Sequence, residues 1–173
     1  MKKIFSLSLV LTAMWFFGCG PSKEQLQTLE DIKKLASETS ALHDSFMKEH
    51  QKEDEEHRKM EQKYDSLKAA GKSTPALDSM AAAHKAILAQ HESTIQAHME
   101  KIKSFDDVVK KYSTKIGELA EMKKALEQMQ KDAEEIKAAC EKMKQEHAQI
   151  NADHKQFGDM TTAATAPAPS AKK

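Results

Sequence analysis

All eight histidines of this chain lie in three ladders whose neighbouring members are seven residues apart. The first two ladders end in aromatic residues, and the third begins with a cysteine. The members are His43, His50, His57 and Tyr64; His84, His91, His98, Phe105 and Tyr112; and Cys140, His147 and His154. Residues at this spacing share the face of an α-helix that winds around a neighbouring helix. The ladders therefore predict an all-α protein with its histidines in a coiled-coil core.

Glycine and proline mark the ends of the helical segments. Gly71 and Pro75 enclose an interruption in the middle of the chain, and Gly158 ends the apolar pattern. Ser73 or Thr74 is a suitable cap for the segment that follows the interruption, and proline suits the first position of a helix. The predicted helices are residues 22–70, 75–112 and 116–157.

The third segment continues the heptad pattern with a slip. Between Ile116 and Met122, next to Gly117, the phase of the heptad pattern shifts by three residues. Glycine is poor in a helix interior, so we favour a turn near 113–117. The alternative is one unbroken helix over 75–157, whose far half a second subunit would cover.

The first two helices have a predictable register if they pair as an antiparallel hairpin. The residue numbers of His57 and His84 add to 141, as do those of His50 with His91 and of His43 with His98. In an antiparallel hairpin the turn lies midway between paired residues, which here is at residues 70–71. Gly71 and Pro75 indicate the same position independently. The predicted fold is an antiparallel coiled-coil helical hairpin extended to an elongated three-helix bundle. Residues 158–173 are rich in Ala, Pro and Thr and are predicted to be a disordered tail.

The N-terminal residues have the layout of a signal peptide. Lys2 and Lys3 precede an apolar run over residues 4–18, which is short for a membrane-spanning helix, and Cys19 follows Gly18. In these residues the chain resembles bacterial lipoproteins. The resemblance implies a signal peptide over 1–18 and an acylated Cys19 as the membrane anchor, with the outer membrane favoured because Gly20 rather than Asp follows. It leaves open whether the protein faces the periplasm or the cell surface.

The C-terminal pair Lys172–Lys173 is similar to that of the small murein lipoprotein, whose last lysine is joined to peptidoglycan. The similarity implies peptidoglycan as a partner, besides the membrane, a second copy of the chain and another envelope protein. Without Lys2 and Lys3 the chain has 25 basic and 27 acidic residues, so its charge does not point to nucleic acid. The sequence lacks a nucleophile–base pair at recognisable spacing and a phosphate-binding loop, and we expect no enzymatic activity.

The histidines have three interpretations. The favoured one is a core polar ladder that fixes register, formed by His43, His50, His57, His84, His91, His98, His147 and His154. A second is metal binding. A third is acid sensing, because buried imidazoles prefer the neutral form and stability would fall on acidification.

The metal hypothesis has two candidate clusters. In one, His50, Glu53 and His57 share a helical face, and His84 and His91 approach from the facing helix. In the other, Cys140, Met143 and His147 offer sulfur and imidazole ligands, which suit Zn²⁺ or copper better than Mg²⁺ or Ca²⁺. The sequence thus favours an envelope spacer or scaffold without a cofactor, and the alternative is a metal-binding or metal-buffering envelope protein.

Overall fold

A computed structural model describes residues 20–165, with the side chains of residues 20–158. This part of the chain forms three α-helices in the order α1 (Lys23–Ala69), α2 (Pro75–Thr114) and α3 (Leu119–Thr165). The helices pack as an up-down-up bundle, which confirms the predicted all-α fold. The signal peptide expected over 1–18, the lipidation expected at Cys19 and the last eight residues of the predicted tail lie outside the described residues. Within the described range, no helix has an apolar stretch of the length needed to cross a membrane.

Local sequence signals start the first two helices. Ser22 and Gln25 form a capping box at the start of α1, in which each side chain bonds the other residue's backbone N–H. At the start of α2, the Thr74 side chain accepts a hydrogen bond from the Leu77 N–H, and Pro75 occupies the first turn. The predicted cap and first-turn proline of α2 are therefore confirmed.

The first turn depends on a glycine. Gly71 has a φ of 68°, a left-handed conformation that only glycine adopts at low cost. The Lys72 N–H donates to the Leu67 carbonyl at 2.9 Å, which closes the last turn of α1. The chain can then reverse within a few residues.

The second turn, between Thr114 and Leu119, confirms the predicted break, and the alternative of one unbroken helix is wrong. The Gln25 side chain donates a hydrogen bond of 2.9 Å to the Gly117 carbonyl. A Cβ atom at position 117 would lie 2.7 Å from Cε1 of the Tyr112 ring. Glycine is needed here because the turn packs directly on a buried ring.

The predicted hairpin register is confirmed by three pairs of histidine rings. The ring centroids of His43 and His98 are 5.7 Å apart, those of His50 and His91 are 5.7 Å apart, and those of His57 and His84 are 5.6 Å apart. The third helix places further histidines against the same rings, with His147 beside His50 and His154 beside His57.

The end of α3 differs from the prediction. Residues 158–165 were expected to begin a disordered tail, but the helix continues to Thr165. Gly158 does not adopt a positive φ, and a glycine inside a helix costs only about 1 kcal/mol relative to alanine. The following residues include Ala163 and Ala164, and the first helix-breaking residue after them is Pro167. The glycine was therefore misinterpreted as a stop signal.

The core has two chemically different parts. Near the start of α1 lies the apolar half, a cluster of buried residues formed by Leu29, Ile32, Ala36, Phe105, Tyr112, Met122 and Met129. Towards the other end lies the histidine half, whose members are His50, His57, His84, His91, His147 and His154. Between them is a second apolar cluster, formed by Phe46, Ile95, Ile136, Cys140 and Met143.

Candidate metal centre

The histidine half consists of two layers, each with one histidine from every helix. In the described part of the chain, two groups of three histidines have one ring nitrogen from each residue within 4.8 Å of the others. We call them the upper layer (His50, His91 and His147) and the lower layer (His57, His84 and His154). The layers are seven residues apart, which is about 10 Å along a helix. Each layer is therefore a separate site and not half of a binuclear site, in which the metals are about 4 Å apart.

The spacing of the ring nitrogens suits a tetrahedral metal ion. Two nitrogens bound to Zn²⁺ at about 2.0–2.1 Å with tetrahedral angles are roughly 3.3 Å apart. In the lower layer, Nδ1 of His57 and Nε2 of His154 are 3.2 Å apart. In the upper layer, Nδ1 of His50 and Nε2 of His147 share a hydrogen bond of 2.7 Å. The His57 and His154 nitrogens are therefore already at the separation that an ion needs, whereas His50 and His147 in the upper layer must separate slightly.

Carboxylates on α3 orient the histidines of α2. The Nε2–H of His91 donates to Oε2 of Glu146 at 2.8 Å, and the Nε2–H of His84 donates to Oδ2 of Asp153 at 2.9 Å. A histidine that binds a metal usually donates its other ring N–H to such a group, which fixes the tautomer. In both α2 histidines Nδ1 is thus the nitrogen that keeps a lone pair.

The Nδ1 atom of His91 is buried and forms no hydrogen bond with the described residues. The His91 side chain as a whole is 1% exposed. A buried polar atom in this condition costs about 1–3 kcal/mol. Such an atom calls for an explanation, and an ion bound between His50, His91 and His147 would supply one.

Burial lowers the pKa of the layer histidines that α1 and α3 contribute. It lowers the pKa of His147 to about 4, with the neighbouring His50 and His91 adding to the shift. It likewise lowers the pKa of His154 to about 4, with His57 and His84 adding to the shift. The pKa of His50 is also lowered, again mainly by burial. Neutral imidazoles have a free lone pair, which is the form that binds metal ions.

The surroundings of the layers carry negative charge. The hydrogen bond from His84 lowers the pKa of Asp153. Partial burial opposes the charge of Glu146, but its bond with His91 and the nearby Lys142 keep its pKa below the usual value. Charged carboxylates beside a layer favour a cation there over an anion.

A groove between α1 and α2 gives access to the layers. Its volume is about 970 Å³, and His50, His57, His84 and His154 are among the residues that line it. Both layers therefore have at least one ligand next to a path from the surface, which an exchangeable metal site requires.

The structure groups the predicted ligands differently from the sequence. His50 and His57 were predicted to bind one ion with Glu53, but they belong to different layers, since seven residues separate them along α1. Glu53 accepts a hydrogen bond of 2.6 Å from Asn151 and belongs to neither group. The predicted contribution of His84 and His91 from the facing helix agrees with the layers.

The predicted cluster of Cys140, Met143 and His147 is also divided. His147 lies in the upper layer, whereas Cys140 and Met143 pack in the apolar cluster with Phe46 and Ile95. Consecutive turns of one helix place their side chains at different levels of the core, so these residues do not meet at one point. All members of the predicted core polar ladder are buried except His154, which is half-buried.

The metal hypothesis from the sequence missed three residues, of which His154 had been predicted only as a member of the core polar ladder. His154 completes the lower layer, and Glu146 and Asp153 orient the histidines of α2. A signal was present, because an acidic residue directly precedes each histidine of α3, in Glu146–His147 and Asp153–His154. On a helix this step turns the carboxylate towards the neighbouring helix while the histidine faces the axis.

Comparisons with known proteins do not assign a family to this chain. No protein-family model, curated protein sequence or solved structure matches this chain. The interpretation of the two layers depends on their own geometry.

Proposed function

We propose that this protein binds one divalent transition-metal ion in each tri-histidine layer, and that it buffers or carries these ions. The observation that carries the proposal is Nδ1 of His91, which is buried and has no hydrogen-bond partner among residues 20–158, while the other ring nitrogen donates to Glu146. Three imidazoles suit Zn²⁺, Cu²⁺ or Ni²⁺ and are poor ligands for Mg²⁺ or Ca²⁺.

The ligand number favours exchange of the ion over permanent binding. Structural zinc sites have four protein ligands, whereas sites with three leave a position for water or an incoming ligand. An incoming ligand at that position allows the ion to pass to another molecule. The groove beside His57 and His84 is the route for this transfer.

Thermal unfolding with Zn²⁺ or a chelator tests the proposal. A site occupied at 100 times its dissociation constant adds about 2.7 kcal/mol of stability, which raises Tm by roughly 5 °C or more for a chain of this length. We expect this increase in the wild-type protein and a clearly smaller one in His91→Leu. A matched control is Met129→Leu in the apolar half, where the zinc-dependent increase should be unchanged. An equal increase in all three proteins would count against the layers as the binding sites.

A second proposed function is that of a membrane-anchored spacer in the cell envelope, and the two functions are compatible. The support is the length and direction of the bundle. Helix α1 begins at Lys23, four residues after the cysteine expected to be acylated, and 47 residues of helix are about 70 Å long. Because α3 runs parallel to α1, it ends far from the anchor. Peptidoglycan attachment through Lys173 would then link the two ends to different layers of the envelope.

Mass spectrometry of the protein from bacterial membranes tests the spacer proposal. The expected result is a diacylated Cys19 and, in Cys19→Ala, a protein no longer recovered with the membrane. Recovery of the variant in the membrane fraction at the wild-type level would contradict the anchor. Digestion of the cell wall tests the second link, since a muropeptide joined to Lys173 is expected and its absence would remove peptidoglycan as a partner.

A further inference from the structure

The two tri-histidine layers differ in how they meet the groove between α1 and α2. All three histidines of the lower layer line the groove, whereas only His50 of the upper layer does so. The other two histidines of the upper layer, His91 and His147, are buried. An ion in the lower layer would therefore have every ligand beside the groove. An ion in the upper layer would have two of its three ligands away from it.

The layers also differ in how closely their histidines bond each other. Nδ1 of His50 and Nε2 of His147 are 2.7 Å apart, whereas Nδ1 of His57 and Nε2 of His154 are 3.2 Å apart. An ion that enters either pair displaces the proton that the two nitrogens share, and this proton moves to another ring nitrogen or to solvent. Because the upper pair must move apart as well, we expect entry to be slower there.

A half-buried carboxylate lies in the groove between the levels of the two layers. Asp54 is on α1, four residues after His50 and three before His57, and it lines the groove. Burial lowers the pKa of both histidines, and the charge of Asp54 opposes that shift. The carboxylate therefore acts on one ligand of each layer.

Asp54 differs from the other carboxylates next to the layers because it has no partner among the described residues. It forms no hydrogen bond or ion pair with residues 20–158. The carboxylates that do accept hydrogen bonds are Glu53, Glu146 and Asp153. A half-buried negative charge without a partner attracts a divalent cation more strongly than one that is exposed to water.

We propose that the two layers exchange ions at different rates, with the lower layer as the exchange site, the upper layer as a retaining site and Asp54 as the carboxylate that attracts ions into the groove. The proposal rests on the metal-binding function proposed above and deepens it. An ion in the lower layer is open to an incoming ligand from the groove, so it can pass to another molecule. An ion in the upper layer is enclosed by the bundle and stabilises it.

Release of Zn²⁺ to a chromophoric chelator measures both rates in one experiment. The full chain is loaded with one Zn²⁺ per layer and mixed with excess chelator, and the absorbance of the zinc–chelator complex is followed. We expect two phases of equal amplitude, with one ion released rapidly from the lower layer and the other released slowly from the upper layer.

Two variants assign the phases. His84→Leu removes a ligand of the lower layer and should lose the rapid phase while keeping the slow one. His91→Leu removes a ligand of the upper layer and should show the reverse. Far-ultraviolet circular dichroism shows whether each variant is folded, and the wild-type release curve decides the matter if one of them is not.

The rate of Zn²⁺ binding tests the role of Asp54. Asp54→Asn should bind as many ions as the wild type but load the lower layer about tenfold more slowly at low ionic strength, because a divalent cation is no longer attracted at close range. Added salt should reduce the difference. Glu56→Gln is the matched control, since it removes the same charge from an exposed position of α1 that does not line the groove. Equal loading rates for the two variants would overturn the role of Asp54.

The outcomes distinguish this proposal from the one on which it rests. A single phase that releases both ions of the wild type would overturn the unequal layers and leave the proposed function standing. Loss of the slow phase in His84→Leu would overturn the lower layer as the exchange site. A wild-type protein that takes up no Zn²⁺ would overturn the unequal layers together with the proposed function.

Discussion

The two halves of the core fill the same stripe of the same helices with different chemistry. On α2 the ladder of His84, His91 and His98 continues without a break into Phe105 and Tyr112. Phe105 is 1% exposed and so is His91, so the two positions are equally enclosed. The apolar half shows that this bundle geometry can be packed with large apolar side chains.

Histidine is therefore not needed at these core positions to build the fold. A buried imidazole must satisfy two nitrogens, and where it fails the cost is about 1–3 kcal/mol per atom. Aromatic and aliphatic residues at the same heptad positions avoid this cost. The histidine half thus gives up stability that the apolar half keeps, as is typical of functional sites.

The largest effect is expected from a cavity in the apolar half. Phe105→Ala removes a ring that packs in the cluster with Ile32 and Met122, and such a change typically costs about 3–5 kcal/mol. Urea denaturation monitored by circular dichroism measures the loss, which should be the same with and without Zn²⁺. The exposed Leu26 provides the control, since Leu26→Ala should change stability by less than about 0.5 kcal/mol. A zinc-dependent loss in Phe105→Ala would mean that the halves are not separate.

Acidification should weaken the part of the core that contains buried histidines. Burial lowers the pKa of His98, His147 and His154 to about 4, below the value near 6.5 in the unfolded chain. The unfolded state therefore takes up protons first, so stability is present above pH 6.5 and lost as the pH falls towards 4. Between pH 7.5 and 5.5 these three residues together account for roughly 4 kcal/mol.

The same denaturation experiment at the two pH values measures this loss. His98→Leu should lose about two-thirds as much stability on acidification as the wild type, because it lacks one of the three strongly shifted groups. A wild-type protein with equal stability at pH 7.5 and 5.5 would show that the rings are not held in their neutral form.

The carboxylates on α3 should matter for metal binding more than for folding. Glu146→Gln keeps the shape of the side chain that accepts from His91. Its neutral amide oxygen is a weaker acceptor than a carboxylate, so the His91 tautomer with its proton on Nε2 is less strongly favoured. Loss of such a partner typically lowers metal affinity by about 10–100-fold, which competition with a chromophoric chelator measures for Zn²⁺. Glu134→Gln, at an exposed position of the same helix, should leave the affinity unchanged. Equal affinities for the two variants would remove Glu146 from the site.

The smallest effect is expected at the second turn. Gly117→Ala places a methyl group 2.7 Å from the Tyr112 ring, and overpacking costs typically about 1–3 kcal/mol. We expect about 1 kcal/mol because the turn can shift. The loss should appear in the denaturation midpoint and leave zinc affinity at the wild-type value, since the turn is at the apolar end. An unchanged midpoint would show that the turn has room at this position.

The sequence predicted the elements whose signals are local or periodic. The turn at Gly71 and the cap at Thr74 depend on single residues with strong preferences, and the hairpin register follows from three matched histidine pairs. The turn and the cap depend on residues next to each other in the sequence, and the register depends on a regular repeat on both sides of one short turn, so the sequence pattern can reveal all three.

The register of the third helix could not be predicted from local or periodic sequence signals. The three-residue slip next to Gly117 breaks the phase between α2 and α3, so the pattern no longer shows which level of α3 meets His50. As a result His147 was grouped with Cys140 along the helix and not with His91 across it. The roles of Glu146 and Asp153 depend on the same register, which explains why they were missed together.

Anomalous X-ray scattering from a crystal grown with Zn²⁺ shows whether the two tri-histidine layers bind metal ions. Data collected at the zinc absorption edge locate each ion without reference to the protein. The tri-histidine assignment predicts peaks inside the bundle, between His50, His91 and His147 and between His57, His84 and His154. Peaks confined to surface carboxylates, with both layers empty, would contradict it.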